Sequence, residues 1–152
     1  MRFLLVDRIL ELESGKRARG IKNVAMSEDF LTHHFPDTPI MPGALIAEAA
    51  VQLASWVIRE ATDFRRAGLA VVFERARFQE LVRPGDQLEL EVEVLAMDDA
   101  TARFKAVAHC RGRRVSSGRF VLALVDAETQ EAVDESRRLF KVLSLPLEGA
   151  AR

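Results

Sequence analysis

Three residues near the first third of the chain could together carry out acid–base chemistry. His34 supplies an imidazole that exchanges a proton near neutral pH, and Glu48 supplies a carboxyl. Gly43 lies between them where a helix is predicted to begin, and the free N–H groups of a helix start stabilise negative charge. A base, an acid and an oxyanion donor are what proton abstraction and elimination beside a carbonyl require. Each residue also has a purely structural explanation, which stays open at this level.

A proline-rich loop and a long apolar helix are predicted to position these groups. Three prolines in residues 33–43 fix φ and remove donors, so this segment is expected to be a stiff loop. Residues 44–61 are strong helix formers and apolar on nearly every face, which indicates a helix surrounded by protein. Up to residue 59, its polar residues form one stripe: Glu48, Gln52, Ser55 and Arg59.

The carboxyl in that stripe requires an explanation. Burying a carboxylate is costly unless it is paired, protonated or functional, and Glu48 lies in the apolar part of the helix. A membrane span is disfavoured because the apolar run is shorter than the ~20 residues a bilayer needs. A polyproline ligand is disfavoured because the loop leads into a buried helix.

The composition suits one globular domain with a real core. The chain has 152 residues, of which 49% are hydrophobic and 30% charged. A net charge of −1 gives no general reason to expect nucleic acid or a membrane surface as a partner. The single cysteine, Cys110, excludes an intrachain disulfide and a cysteine-based zinc site. This usage and the lack of a signal-peptide pattern in the first residues favour the cytoplasm.

The rest of the chain alternates with the period of β-strands. Residues 3–13 and 17–24 are typical of a hairpin, and one or two helical turns are expected at 28–33. Further strands are expected at 69–79, 87–94, 101–111 and 115–125. Such a meander needs a cover for its apolar face, which predicts an α+β hot-dog fold: a curled antiparallel sheet around a long central helix. One sheet cannot enclose a helix, so a second copy is expected to complete the burial.

We expect a domain boundary after the last strand. Residues 1–125 would form the hot-dog domain and residues 126–152 a C-terminal tail. Within the tail, residues 136–143 are amphipathic, which is typical of a short surface helix or a frayed end.

The sequence HFPDTPIMPGALIAEAAVQ at residues 34–52 closely resembles the signature of a known family. That family is the 3-hydroxyacyl-[acyl-carrier-protein] dehydratases of type II fatty-acid synthesis, in their FabZ-like branch. The resemblance extends to FLLVDR, IKNV, ARF and VRPGDQL, so it covers about residues 3 to 125. It implies a hot-dog fold, dimerisation and no cofactor. The implied reaction is elimination of water from a (3R)-3-hydroxyacyl thioester to give the trans-2-enoyl thioester.

The resemblance also implies roles for individual residues. His34 would remove the C2 proton, Glu48 would assist departure of the 3-hydroxyl as water, and the Gly43 N–H would hold the thioester oxygen. His34 of one protomer would face Glu48 of the other. FabA-type enzymes, which also isomerise the double bond, have Asp where this chain has Glu48, so dehydration alone is implied. Other motif residues expected to bind substrate are Phe35, Pro42 and Gln52.

The implied partners are an acyl carrier protein and a second copy of the chain. The chain is expected to form a homodimer, and assembly of three such dimers is an alternative. Neither nucleic acid nor a membrane is expected as a partner. The carrier is acidic in this family's pathways, so a basic approach to the substrate tunnel is expected. The candidates for carrier docking, each of which could equally be a solvated surface arginine, are Arg65, Arg66, Arg75, Arg77 and Arg83.

Two departures from the family pattern keep alternatives open. The family usually has glycine where this chain has His33 and Asp37, so the loop is expected to differ in shape or to carry another titrating group. One alternative is a hot-dog thioester hydrolase, although these enzymes generally lack the His-Phe-Pro loop. Another is an inactive homologue that only binds acyl chains. A metal site built from His33, His34 and Glu48 is disfavoured, because adjacent histidines usually point apart.

Overall fold

A six-stranded antiparallel sheet and two helices make up residues 3–146, the part of the chain that the computed structural model describes. One turn of 3-10 helix, Asp29–Thr32, precedes the loop to the long helix. The sheet order is β1-β2-β4-β5-β6-β3, and all neighbouring strands are antiparallel. The predicted α+β architecture is therefore confirmed. The elements are β1 (Arg8–Glu13), β2 (Arg17–Asn23), α1 (Gly43–Ala61), β3 (Arg66–Phe78), β4 (Gln87–Met97), β5 (Thr101–Cys110), β6 (Arg113–Asp126) and α2 (Gln130–Leu143).

Helix α1 forms the centre of the core. Leu53 and Ile58 on the helix are fully buried, as are Phe104 of β5 and Leu122 of β6. The alternating pattern of β4 turns Leu88, Leu90 and Val92 inward and its glutamates outward, as expected for a sheet with one solvated face. The helix is thus held by side chains from several strands, which gives the residues along it fixed positions.

The start of β3 lies directly against α1. A Cβ atom placed on Gly68 would come within 2.6 Å of Leu122 Cδ1 and 2.8 Å of Ile58 Cδ1. The Gly68 N–H also donates to Ser55 Oγ of the helical polar stripe, at 3.0 Å. A side chain at this position would push the strand away from the helix, so glycine allows the close approach.

Strand β3 also forms an exposed apolar edge. It is the last strand of the sheet, and its residues Leu69, Val71, Val72 and Phe73 are between 48% and 61% exposed in the single chain. Large apolar side chains on an unpaired edge are typical of a surface that binds another protein chain.

Helix α2 is longer than expected and covers part of α1. Its first turn is capped by Thr129, whose Oγ1 accepts the N–H of Ala132 at 3.1 Å, so the helix begins at Gln130, before the predicted residues 136–143. The Phe140 ring lies 5.9 Å from Trp56 and 5.3 Å from Phe64. Helix α2 of the same chain therefore buries part of α1, whereas the sequence predicted that a second copy would provide all of this burial. Neither helix in residues 3–146 has the length and apolarity to span a membrane.

Candidate active site

The loop that contains His34 is held in place by backbone hydrogen bonds. Phe35 and Thr38 exchange two N–H···O bonds of 3.2 and 3.1 Å, and the Ile40 N–H donates to the His34 carbonyl at 3.0 Å. Met41, which is buried, donates its N–H to Val82 at 2.8 Å. These bonds replace the regular pairing that the prolines prevent, and they carry the chain from His34 to the start of α1 in a fixed path.

The His34 side chain has an unsatisfied nitrogen. Its ring is stacked on Phe35, with centroids 4.3 Å apart and an interplanar angle of 28°. Its Nδ1 atom is buried and has no hydrogen-bond partner within residues 3–146. Buried polar atoms are nearly always paired, so this unpaired nitrogen distinguishes His34 from an imidazole kept for structural hydrogen bonds. Phe35, which packs on the ring, is itself 53% exposed.

Gly43 is the first residue of α1, after Pro42 with φ −56°. The first N–H groups of a helix have no partner inside the helix, so they are available to an oxyanion. A Cβ on Gly43 would lie 2.9–3.0 Å from three atoms of the Phe78 ring. The end of β3 thus forms a wall beside the helix start, and only glycine fits between them without a shift.

Glu48 lies in the second turn of α1 and is held by Gln52. Gln52 Nε2 donates to Glu48 Oε1 at 3.0 Å and to the Phe3 carbonyl at 3.1 Å, while Gln52 Oε1 accepts the Leu5 N–H at 2.9 Å. The amide therefore links the N-terminal segment to the carboxyl. Glu48 is half-buried in the single chain rather than enclosed as the helix pattern suggested.

Within a single chain, His34 and Glu48 are not joined by a side-chain hydrogen bond among the described residues. The side-chain hydrogen bond recorded for Glu48 is the one with Gln52, and His34 Nδ1 has none among the described residues. Between α1 and β3 there is an apolar slot on the side of the chain that carries the exposed β3 edge, and it includes Ile46, Ala50, Phe73 and Phe78. No group of three or more His, Cys, Asp or Glu residues that could hold a metal ion occurs within residues 3–146.

The structure separates the five candidate arginines. Arg75 and Arg77 line one depression of about 360 Å³ on the outer face of the sheet, together with Lys105, Arg114 and Arg119. Of the remaining three, Arg65 and Arg83 are exposed. Arg66 is occupied by local contacts: its Nη1 donates to the Asp99 carbonyl at 2.7 Å, and its Nε lies 3.0 Å from Asp126 Oδ1 without hydrogen-bond geometry.

Sequence reasoning missed several residues of these surfaces. Phe78 was placed on a strand, but no spacing rule connects it with Gly43, 35 positions earlier. The cations Lys105, Arg114 and Arg119 join Arg75 and Arg77 only because strands β5 and β6 pair beside β3. Alternation along β5 and β6 could have shown that they face outward, but the strand order was needed to bring them together.

Comparison with known proteins assigns the chain to a family. The FabA-like domain matches residues 1–123, which leaves α2 outside the matched segment. A "3-hydroxyacyl-[acyl-carrier-protein] dehydratase FabZ" of Geobacillus thermodenitrificans (strain NG80-2) is 46% identical over 125 residues, covering 82% of this chain and 86% of that protein. The protein of the same name from Caldanaerobacter subterraneus subsp. tengcongensis is 50% identical over 107 residues, covering 70% of this chain and 76% of that protein.

Solved structures share the fold at much lower identity. The smu.793 protein of Streptococcus mutans UA159, bound to acetyl CoA, matches with a TM-score of 0.63 at 10% identity, covering 85% of this chain and 96% of that one. The dehydratase heterocomplex ApeI:P from Xenorhabdus doucetiae matches with a TM-score of 0.59 at 19% identity, covering 74% and 92%. These likenesses confirm the hot-dog fold and say nothing further about activity. By its family match and its sequence relatives, the chain belongs to the FabA-like family, among the FabZ-type 3-hydroxyacyl-[acyl-carrier-protein] dehydratases.

Proposed function

We propose that this chain eliminates water from (3R)-3-hydroxyacyl thioesters carried by an acyl carrier protein, giving trans-2-enoyl thioesters for fatty-acid biosynthesis. The observation that carries the proposal is the His34 Nδ1 atom, buried without a partner on a loop fixed to the start of α1. It is supported by the family membership and by the FabZ-type dehydratases that are 46% and 50% identical to this chain.

The three groups divide the reaction between them. His34 takes the proton from C2, and the electron pair of that C–H bond moves toward the thioester, whose oxygen gains negative charge. The Gly43 N–H at the helix start stabilises that charge. The C3–O bond then breaks as Glu48 gives its proton to the departing hydroxyl, which leaves as water. Transfer of the proton from His34 back to Glu48 restores the enzyme.

Gln52 has a positioning role in this mechanism. Both of its amide hydrogens and its oxygen are in hydrogen bonds, so its side chain cannot rotate without breaking three contacts. Its N–H holds Glu48 Oε1, which directs the carboxyl along the stripe of α1. Phe35 and Pro42 complete the wall near the reacting atoms, and a glutamate rather than an aspartate at position 48 supports dehydration without isomerisation.

Each active site is shared between two chains of a homodimer. Two features support this: within one chain Glu48 is hydrogen-bonded to Gln52 and not to His34, and β3 presents an apolar edge beside the slot next to Gly43. His34 of one protomer would then face Glu48 of the other. A trimer of dimers is proposed as a further level of assembly, and the cytoplasm as the location.

Mixing two inactive variants tests the shared site. A His34→Ala chain is refolded with a Glu48→Gln chain, and mixed dimers are confirmed by mass spectrometry. In a mixed dimer, one site carries both lesions and the other combines intact His34 with intact Glu48. Random pairing makes half of the dimers mixed, so recovery of roughly a quarter of wild-type activity is expected. Mixed dimers without activity would reject the shared site and leave the dehydratase assignment standing.

The carrier would dock through cationic side chains near β3. Arg75 and Arg77 are the stronger of the five candidates, because Arg114 and Arg119 extend their positive surface. Lys105 lies in the same depression but is paired with Glu93 at 3.0 Å. Salt screens such surface attraction, so added salt should slow a carrier-bound substrate far more than a small thioester analogue. Equal salt responses would remove this surface from the proposal.

A product assay separates the proposal from its rivals. The protein is incubated with a 3-hydroxyacyl thioester, and enoyl formation and free thiol are both monitored. The proposal expects enoyl thioester without thiol release. Thiol release would indicate a thioester hydrolase, and absence of both products would indicate a homologue that only binds acyl chains.

A further inference from the structure

Helix α2 forms one wall of a cleft that the family match does not include. The cleft lies between α2, the outer face of α1 and the N-terminal segment, and its volume is about 260 Å³. The matched family segment ends at residue 123, before α2 begins at Gln130. The lining combines four apolar residues, Phe3, Leu4, Trp56 and Leu139, with five polar or charged residues, Gln52, Ser55, Arg59, Glu135 and Ser136.

Arg59 is the cation of this cleft. Its guanidinium lies over the Trp56 ring, 5.2 Å from the centroid, and its Nη1 donates to Ser136 Oγ at 2.7 Å. That bond uses one of five N–H donors. No carboxylate of residues 3–146 forms an ion pair with the Arg59 guanidinium. Burial lowers the pKa of the Arg59 guanidinium from its ordinary value, although an arginine stays cationic at neutral pH.

The cleft continues the polar stripe that begins at Glu48. Gln52, which holds the Glu48 carboxyl, is also part of the cleft lining. Arg59 lies 11 residues after Glu48, so the two residues are separated by about 16 Å along the helix axis. A chain attached at the reacting atoms and extended along this face would pass Gln52 and Trp56 before it reached the guanidinium.

We propose that the cleft receives the far end of the acyl chain, and that Arg59 selects substrates whose far end carries a carboxylate or another anionic hydrogen-bond acceptor. This rests on the proposed dehydratase function, because it places the reacting atoms at Glu48. The apolar walls suit the methylene part of such a chain, and a partly desolvated guanidinium binds a carboxylate more strongly than one in water. Glu135 is the other charged residue of the lining, and it is exposed where Arg59 is half-buried.

A pair of substrates of equal length tests the proposal. Both are 3-hydroxyacyl pantetheine thioesters, one ending in a methyl group and the other in a carboxylate, and each pair is made at several chain lengths. The measured quantity is the ratio of their kcat/KM values on the same enzyme sample, so partial unfolding of a variant cancels. The wild-type ratio should be highest at the one length at which the carboxylate reaches Arg59.

Four variants test whether Arg59 determines this kcat/KM ratio. Arg59→Met should lower it by about 10-fold or more, the value of a lost charged hydrogen bond, while Arg59→Lys should retain part of it. Ser136→Ala removes the hydrogen-bond partner of Arg59 but leaves the charge of its guanidinium. Arg138→Met removes an exposed arginine of α2 that does not line the cleft. Arg138→Met should leave the ratio unchanged. Ser136→Ala should lower it less than Arg59→Met does, because the charge of Arg59 remains.

A binding measurement adds an independent readout. Trp56 is the protein's one tryptophan and lies in the cleft wall, so its fluorescence reports occupancy there. In a Glu48→Gln background, the carboxylate-ended substrate should change this fluorescence saturably, and Arg59→Met should weaken that binding.

The outcomes separate the two proposals. Turnover of the methyl-ended substrate with none of the carboxylate-ended one, or an Arg59→Met ratio equal to wild type, overturns the role of Arg59 and leaves the dehydratase intact. If the enzyme dehydrates neither substrate, both the proposed function and the selection by Arg59 are overturned.

Discussion

Substituting Gly43 by alanine tests the oxyanion position without removing any functional group. The new Cβ would lie 2.9–3.0 Å from three atoms of the Phe78 ring, whereas carbon atoms in contact prefer about 3.5–4.0 Å. The ring or the helix start must therefore shift by about half an ångström or more. Phe78 is 48% exposed, so part of the shift can be taken by the ring. What remains displaces the N–H that is proposed to face the thioester oxygen.

The expected effect is large on turnover and small on stability. Overpacking costs about 1–3 kcal/mol, and the low end applies beside a movable ring. Replacing glycine by alanine in a helix recovers about 0.4–1 kcal/mol through the unfolded state, so a net loss of about 1 kcal/mol or less is expected. That corresponds to a Tm lowered by about 2–4 °C at most. A displaced oxyanion donor, by contrast, should lower kcat by about 10- to 100-fold.

A double variant links the loss to Phe78. Turnover is measured by enoyl formation, and stability by thermal unfolding, for Gly43→Ala, Phe78→Leu and the two together. If the clash causes the loss, Phe78→Leu should restore part of the turnover of Gly43→Ala even though it creates no new catalytic group. Normal turnover in Gly43→Ala would refute the oxyanion role. A double variant no faster than Gly43→Ala would refute the part played by the Phe78 wall.

Three further outcomes are expected. His34→Ala and Glu48→Gln should each lower turnover by about 10²-fold or more while circular dichroism shows an unchanged fold, and near-normal dehydration by either folded variant would contradict their assignment. Arg119→Ala should weaken the salt dependence measured with a carrier-bound substrate, whereas Arg103→Ala, whose Nη2 is paired with Glu74 at 2.8 Å, should not; equal effects would show that the depression has no special role. The Cys110 thiol is buried, and burial raises its pKa, so a thiol reagent should label it only as the protein unfolds; rapid labelling of the folded protein would contradict its position in the core.

The sequence predicted the elements well because their patterns are local. The period-two stretch beginning at Gln87 and the apolar run after Pro42 both became the expected strand and helix, with β4 continuing to Met97 and α1 ending at Ala61. The roles of His34 and Glu48 depended on their spacing in a motif, and stay predictions. Contacts between distant residues could not be read in this way. The packing of Phe78 on Gly43 and the length of α2 depend on how strands are ordered and on which face of α1 is left open.

If the chain forms the proposed homodimer, the exposed edge of β3 makes its stability depend on protein concentration. This 13-residue strand has backbone groups on its outer side that no other strand of residues 3–146 pairs, and its large apolar side chains are about half exposed in the single chain. A chain that has folded but has not yet met a second copy would present that edge to any other extended peptide, including another copy in the wrong register. In the proposed homodimer, association would cover this edge and add its own free energy to stability, so the midpoint of unfolding should rise as the protein becomes more concentrated. The surface proposed to complete the active site would therefore also decide between assembly and aggregation for each newly made chain.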